Sequence, residues 1–243
     1  MGADVGLAND PDADRLGAVI PRPEGGWRRL SGDEIGWLLA DHVLAHTTGD
    51  DRLVVTTLVS SSLLGKMAAA AGVHYAETYT GFKWIGQTAL DHPEWRFVFG
   101  YEQALGYLVT DRPLDKDGIT AAVLFAEVAA LARRDGVTIQ DRLDDIAERF
   151  GRHLTAERSV RVDPVTRATL MAKVRANPPV ALAGRPVTDV QEYPEAGLLR
   201  YRCGDEARVQ IRPSGTEPKV KIYVETVGAE PLPFLDAAEQ LLI

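Results

Sequence analysis

Short runs of apolar, β-branched residues alternate with helical patterns through the middle of the chain. Three such runs, RLVVTTLV, VHYAETY and RFVFGYE, predict strands, because β-branched and aromatic side chains favour the pleated backbone. The helical patterns SSLLGKMAAAAG and FKWIGQTAL separate these strands. Strands that alternate with helices favour an α/β layer with mostly parallel strands.

The segment before this layer predicts two strands and a helix. DVGLA is expected to be a buried strand, an acidic loop follows it, and LGAVIP is expected to be a second strand. The helix is predicted to open at Ser31, since acidic residues fill its first turn and Gly49 follows its end.

Two helices are predicted after the α/β layer, one from Ile119 to about Arg134 and one that ends at Gly151. From His153 the pattern changes to strand, helix, several strands and helix, which favours a separate α+β domain. We therefore predict three segments, 1–48, 49–152 and 153–243.

Composition excludes several classes of partner. The 243 residues are 45% hydrophobic and carry a net charge of -8, so no basic surplus exists to bind nucleic acid or an anionic membrane. The apolar stretch from Ala121 to Ala132 is interrupted by Glu127 and is too short to cross a bilayer. One cysteine, Cys203, allows no internal disulfide, and no charged start followed by an apolar run predicts export, so we expect a cytoplasmic protein.

Three carboxylates stand at alternate positions in the first loop, at Asp10, Asp12 and Asp14, and Arg15 follows them. Like charges this close repel one another unless a cation offsets the repulsion. An extended loop can turn alternate oxygens toward one point, which suits a hard divalent cation such as Mg²⁺. A solvated acidic turn is the alternative interpretation of the same pattern.

A second loop, in QIRPSGTEPKVKIYVE, has the composition of a phosphate site. Arg212, Ser214, Gly215 and Thr216 combine an arginine fork, two hydroxyls and backbone N–H groups, and a phosphate dianion needs several such donors at short range. An ordinary hairpin with Pro and Gly in its turn is the alternative.

Other polar residues are ambiguous when taken alone. Glu102 ends a predicted strand, where its carboxylate could accept hydrogen bonds from adjacent sugar hydroxyls. Lys83 follows a Thr80-Gly81 turn, and Lys116 precedes Asp117 at the start of a helix. Either lysine could be a surface charge, and Asp117 is favoured as a helix cap.

Familiar metal and nucleotide motifs are not matched. An EF-hand counted from Asp10 would need Gly and Glu where Arg15 and Pro21 stand. His42 and His46 have helical spacing, but no Glu follows His42, and no Walker or Gly-x-Ser-x-Gly pattern exists.

Five stretches, in the order NDPDADR, TGFKW, GYEQALGY, DKDGI and RPSGTEPK, together resemble the α-D-phosphohexomutase family. This family contains phosphoglucomutases, phosphomannomutases and a phosphopentomutase-like branch. The resemblance spans nearly the whole chain and implies a C-terminal portion of such an enzyme. That portion would comprise a partial second domain over 1–48, a complete third α/β domain over 49–152 and a fourth, α+β domain over 153–243.

The resemblance also implies a role for each motif. Asp10, Asp12 and Asp14 would hold Mg²⁺, and Arg15 would lie beside the phosphoryl group that is transferred. Lys116 would be the general acid or base. The implied substrate-binding residues are Thr80, Gly81, Lys83, Glu102, Arg212, Ser214, Gly215 and Thr216.

Members of the family move a phosphoryl group from a phosphoserine to a sugar monophosphate, form a bisphosphate and recover phosphate from its other end. The resemblance therefore implies an isomerase of hexose or pentose phosphates that uses Mg²⁺. It also implies an activator of the glucose 1,6-bisphosphate type and sugar phosphates as partners.

The chain departs from the family pattern in two ways. No Ser-His-Asn-Pro loop is present among its 243 residues, and Ser60 to Ser62 lack that context and are expected to cap a helix. We therefore expect the chain to be inactive alone, and we expect the missing N-terminal part or a second copy to pair with the exposed edge of the DVGLA strand. Ala104 stands where glucose and mannose enzymes carry serine, so substrate choice stays open.

Two other functions stay open. A magnesium phosphatase of the haloacid dehalogenase type would use an Asp-x-Asp-x-Thr/Val motif, but the fifth position here is Asp14. A non-catalytic fragment that binds sugar phosphates or a partner chain is the other alternative.

Overall fold

A computed structural model describes residues 2–215 and 217–242. The chain forms two compact units, of which the first ends at Phe150 and the second begins at Gly151. The predicted division into three segments, with a boundary at residue 48, stays a prediction.

Unit 1 begins with a small antiparallel sheet whose order is β1-β2-β3. Its first strand is half exposed and lies at an edge of the sheet. The expectation that DVGLA is a buried strand was therefore wrong, because in the described part of the chain it pairs with one neighbouring strand alone. The bounds are β1 Gly6–Asn9, β2 Leu16–Pro21 and β3 Trp27–Arg29.

Helix α1, Gly32–His46, begins where the sequence predicts it. Ser31 and Glu34 form a capping box, in which each side chain accepts a hydrogen bond from the backbone N–H of the other residue. The first turn of α1 is therefore fixed by local hydrogen bonds.

The larger sheet of unit 1 has the order β5-β4-β6-β7, and β4 pairs in parallel with both β5 and β6. The carboxyl ends of these three strands therefore meet at one edge, which is where α/β sheets bind ligands. The bounds are β4 Arg52–Thr57, α2 Leu63–Ala71, β5 His74–Thr78, α3 Lys83–Asp91, β6 Arg96–Glu102, β7 Gly106–Leu108, α4 Gly118–Arg134 and α5 Ile139–Phe150.

One apolar core joins the two sheets of unit 1. It contains Leu16 of the small sheet, Ile35 of α1, Tyr101 of β6 and Phe125 of α4, all fully buried. The small sheet is thus held firmly against the α/β layer, which fixes the loop between β1 and β2.

Unit 2 is an antiparallel sheet in the order β11-β12-β13-β14-β8, with helices and a short hairpin. The predicted combination of an α/β layer and an α+β domain is confirmed. The bounds are β8 His153–Arg161, α6 Pro164–Ala176, β9 Ala181–Leu182, β10 Arg185–Pro186, β11 Asp189–Tyr193, a 3-10 turn Pro194–Ala196, β12 Leu198–Cys203, β13 Ala207–Pro213, β14 Lys219–Val227 and α7 Leu232–Gln240. Within the described ranges, no helix has the length and apolar character needed to span a bilayer.

Candidate active site

The acidic loop connects β1 to β2 as a tight turn. Ala13 has a φ of 56°, and its N–H donates to the Asp10 carbonyl at 2.9 Å. The Arg15 Nε lies 3.4 Å from a carboxylate oxygen of Asp10 and 3.7 Å from one of Asp14. Asp12 is exposed. The arginine therefore offsets part of the repulsion between two of the three carboxylates.

Lys116 brings a second positive charge to Asp14 from another part of the chain. Its Nζ lies 2.8 Å from Asp14 Oδ2. This hydrogen bond lowers the pKa of Asp14 and raises the pKa of Lys116. At neutral pH, Lys116 therefore carries its proton in this arrangement and can donate a proton or stabilise negative charge.

The acidic loop fits a divalent cation in its donor chemistry. Asp14 Oδ1 is buried and accepts no hydrogen bond within the described chain, and an oxygen in that state is suited to a cation. The described residues contain no group of three or more His, Cys, Asp or Glu side chains arranged to hold a metal ion. The assignment of Asp10, Asp12 and Asp14 to Mg²⁺ stays a prediction.

The start of α4 supports the acidic loop from behind. Asp117 is the N-cap of α4, as predicted, and its side chain accepts from the N–H groups of Ile119 and Thr120. The Gly118 N–H donates to the Ala13 carbonyl at 3.1 Å, and Asn9 Nδ2 donates to the Arg15 carbonyl at 2.7 Å. The first bond ties the loop to the start of α4, and the second ties the two ends of the loop to each other.

The predicted sugar loop pairs directly with the acidic loop. Glu102 ends β6 and pairs with Gly106 of β7 across a tight hairpin. The Leu16 N–H donates to the Leu105 carbonyl at 3.1 Å, and Arg15 forms a β-bridge with Gly106. Glu102 and the acidic loop therefore belong to one hydrogen-bonded assembly.

The Thr80-Gly81-Phe82-Lys83 segment follows β5 at the same edge of the sheet. The Thr80 Oγ1 is buried and has no hydrogen-bond partner in the part of the chain that the structure describes. Lys83 opens α3, and its Nζ lies 5.0 Å from the Trp84 ring. Phe82 approaches Gly106, and its ring lies 6.0 Å from the Lys116 Nζ. Through Phe82 this segment reaches the other loops of unit 1.

The predicted phosphate loop lies in unit 2. Arg212 is the second-last residue of β13, and its Nε is buried without a hydrogen-bond partner among residues 2–215 and 217–242. Arg167 of α6 donates to the carbonyl oxygens of Ser214 and Glu217 at 2.8 and 3.0 Å, which holds the turn in shape. Gly215 is exposed, and Thr216 lies outside the described residues.

Several residues of the site were missed by sequence reasoning. Asn9, Phe82 and Gly118 hold the loops together through contacts between distant segments. All three stand inside the quoted motifs, in NDPDADR, TGFKW and DKDGI, and this placement was the one available signal. The serine triplet only partly caps its helix, because Ser61 Oγ accepts from the Leu63 N–H whereas Ser62 at the N-cap makes no such bond.

Known protein families account for both units. A family model described as "Phosphoglucomutase/phosphomannomutase, alpha/beta/alpha domain III" matches residues 31–150, and one described as "Phosphoglucomutase/phosphomannomutase, C-terminal domain" matches residues 160–232. The first match includes α1. The chain therefore belongs to the phosphoglucomutase/phosphomannomutase family, as its motifs predicted.

Individual relatives agree with this assignment. The chain is 35% identical to the "Probable phosphomannomutase" of Haemophilus influenzae, over 93% of this chain and 46% of that protein. It is 32% identical to the "Probable phosphoribomutase" of Schizosaccharomyces pombe, over 90% and 42%. The crystal structure of parafusin, a phosphoglucomutase of Paramecium, shares the fold with a TM-score of 0.71 and 20% identity, over 98% of this chain and 44% of that one. The chain thus spans less than half the length of these relatives.

The backbone of the acidic loop supplies a stability prediction. Ala13 is in the left-handed region, so Ala13→Gly should raise the free energy of unfolding of unit 1 by about 0.5 to 1 kcal/mol. Urea unfolding followed by tryptophan fluorescence measures this change, because Trp27, Trp37, Trp84 and Trp95 all lie in unit 1. Ala18→Gly in β2 is the matched control and should destabilise. A similar loss of stability in both variants would contradict the prediction.

Proposed function

We propose that the chain supplies the metal-binding, sugar-binding and phosphate-binding parts of a phosphosugar mutase. Such an enzyme interconverts hexose or pentose 1-phosphates and 6- or 5-phosphates through a bisphosphate. The observation that carries the proposal is the assembly of loops in unit 1, in which Lys116 pairs with Asp14 at 2.8 Å and Arg15 bridges to Gly106 of the Glu102 hairpin. These loops bring together two cationic side chains, the carboxylates of the acidic loop and the glutamate that is proposed to bind the sugar hydroxyls.

Phosphoryl transfer depends on alignment and charge stabilisation more than on covalent help from the protein. Arg15 would lie beside the transferred phosphoryl group, and the protonated Lys116 would donate a proton to the departing oxygen. Glu102 would accept hydrogen bonds from two ring hydroxyls. Mg²⁺ held by Asp10, Asp12 and Asp14 would neutralise charge on the phosphoryl oxygens.

Unit 2 would contribute a phosphate-binding loop. Arg212, Ser214, Gly215 and Thr216 would contact a phosphate group of the substrate. The Nε of Arg212, which has no hydrogen-bond partner within the described part of the chain, supports this role. Thr80, Gly81 and Lys83 would add contacts from unit 1. The buried Thr80 Oγ1 has no partner among the residues that the structure describes, which supports a ligand there, because a buried hydroxyl without a partner costs about 1 to 3 kcal/mol.

The names of the two relatives, a phosphomannomutase and a phosphoribomutase, support hexose and pentose phosphates as the substrate class. Ala104 cannot donate the hydrogen bond that a serine would give, so Glu102 carries more of the sugar recognition. We infer that a glucose 1,6-bisphosphate-type activator serves the complete protein. The single cysteine, which allows no internal disulfide, favours a reducing compartment such as the cytoplasm.

Binding and turnover test the proposal separately. Isothermal titration with glucose 1,6-bisphosphate and Mg²⁺ should give saturable binding, whereas glucose without phosphate should not bind. Glucose 1-phosphate, Mg²⁺ and the bisphosphate together should give no sustained isomerisation, because the 243 residues contain no phosphoserine loop. Absence of bisphosphate binding would overturn the proposed function, and sustained isomerisation would overturn the expected inactivity.

The edge of β1 supplies a prediction about partners. We expect this strand to pair with a second copy of the chain, so light scattering should detect dimers or larger species at high concentration. Ala8→Lys, which places a charge on the edge, should restore the monomer. Val123→Lys on the exposed side of α4 is the control and should not. A monodisperse monomer at every concentration would contradict the prediction.

A further inference from the structure

Ser60 holds the predicted sugar loop from within the α/β layer. This serine is fully buried just after β4. Its hydroxyl accepts from the Gln103 N–H at 3.1 Å and donates to Gln103 Oε1 at 3.0 Å. Because the single hydroxyl proton goes to Gln103, the Thr57 hydroxyl, 2.8 Å away, is the donor in the contact between the two hydroxyls. Gln103 is thus held through its backbone and its side chain at once.

The start of α1 holds the same residue from the other side. A Cβ at Gly32 would collide with the Gln103 carbonyl group, so only glycine permits this approach. The neighbouring Asp33 is 3% exposed and accepts from the Ser61 N–H at 2.8 Å and from the Tyr101 hydroxyl at 3.0 Å. The turn after β4, the end of β6 and the start of α1 therefore form one buried network around Gln103.

This network bears directly on sugar recognition. Glu102 precedes Gln103 and is the one charged side chain between Gly100 and Gly106. A hydrogen-bonding group selects between similar ligands when its position is fixed, since a displaced acceptor leaves polar groups of the ligand unpaired. Fixing Gln103 fixes the backbone that carries the Glu102 carboxylate.

We propose that Gln103, anchored by Ser60, is the positioning residue that sets Glu102 and so determines the choice between hexose and pentose phosphates. This inference rests on the proposed function. Gln103 acts through Glu102 and does not itself contact the sugar. A serine at position 104, which would read the sugar directly, is absent, so discrimination depends on how rigidly the hairpin is held.

The test compares four variants of the full chain. Gln103→Met keeps the length of the side chain and removes its hydrogen bond, and Ser60→Ala removes the anchoring hydroxyl. Gln103→Glu keeps an oxygen that can accept from Ser60, so it should rescue. Gln87→Met, at an exposed glutamine of α3, is the matched control. All measurements are made at one temperature, at which tryptophan fluorescence shows that unit 1 of every variant is folded.

Two readouts are required. Hydrogen exchange of the amides between 102 and 106 should quicken by about threefold to tenfold in Gln103→Met and Ser60→Ala, the factor expected for loss of one hydrogen bond. The ratio of dissociation constants for glucose 1,6-bisphosphate and ribose 1,5-bisphosphate, each with Mg²⁺, should move toward one by at least about threefold in the same variants. Gln103→Glu and Gln87→Met should keep both values.

The outcomes separate this inference from the proposed function. If the unmodified chain binds the bisphosphates but the ratio is unchanged in Gln103→Met and Ser60→Ala, the positioning role is overturned and the proposed function stands. Faster exchange with an unchanged ratio would mean that the network only stabilises the fold, which also overturns the inference. If the unmodified chain binds neither bisphosphate, both the proposed function and this inference are overturned.

Discussion

Arg212→Ala should weaken binding of glucose 1,6-bisphosphate by about tenfold to a hundredfold. A hydrogen bond between an arginine and a phosphate is charge-assisted and contributes about 1.5 to 3 kcal/mol, and each 1.4 kcal/mol is about tenfold in affinity. The Nε of Arg212 is buried and lacks a partner in the described chain, so its loss should cost little folding energy. Isothermal titration in the presence of Mg²⁺ measures the change.

Arg185→Ala is the matched control in the same unit. Arg185 is exposed and pairs with Glu206 at 3.3 Å, so its loss should change the affinity less than about twofold. Arg167→Ala should give an intermediate loss, because Arg167 binds the carbonyl groups of the loop and shapes it from behind. Equal effects of Arg212→Ala and Arg185→Ala would show that Arg212 is not a phosphate ligand.

Gly118→Ala should lower the free energy of unfolding of unit 1 by about 3 kcal/mol, as expected for overpacking against fixed backbone. A Cβ at this position would collide with the Arg15 carbonyl oxygen and would lie 2.5 Å from Asn9 Nδ2. Alanine normally stabilises a helix relative to glycine, so the predicted sign is opposite to the one that helix propensity gives. Urea unfolding followed by tryptophan fluorescence measures the change.

Gly17→Ala in β2 is the control, because a Cβ there would meet only the Ala8 carbonyl oxygen at 3.8 Å. We expect its stability to stay within about 0.5 kcal/mol of the unmodified chain. In Gly118→Ala, the clash with the Arg15 carbonyl should also displace that carbonyl and thereby loosen the acidic loop. A Gly118→Ala chain as stable as Gly17→Ala would show that the contact between α4 and the acidic loop is less rigid than the structure indicates.

Local patterns predicted the elements well where the pattern itself was strong. The helix after Ser31 has a capping signal, and the strands around Val54 and Phe99 are continuous apolar runs, so each forms where expected. DVGLA was expected to be buried because it is apolar, yet β1 is half exposed. Burial of a strand depends on its neighbours in the sheet, and the sequence of one strand does not contain them.

The candidate site likewise contains residues that local motifs predicted and residues that they did not. The acidic loop and Lys116 were identified from local motifs, and their 2.8 Å pairing joins residues that are far apart in the sequence. Ser60 gave no usable signal, because a serine before a helix is ordinarily a cap. Its contact with Gln103 depends on β4 and β6 being parallel neighbours, which is a property of the sheet.

The most direct measurement is a crystal structure of the chain grown with Mn²⁺ and glucose 1,6-bisphosphate. Mn²⁺ takes the oxygen ligands that Mg²⁺ takes and gives an anomalous signal. We expect an anomalous peak within bonding distance of Asp10, Asp12 and Asp14, and a phosphate group of the bisphosphate on Arg212 and Ser214. The absence of an anomalous peak at the three aspartates would contradict the proposed function. A bisphosphate that contacts neither the acidic loop nor the phosphate loop would also contradict it.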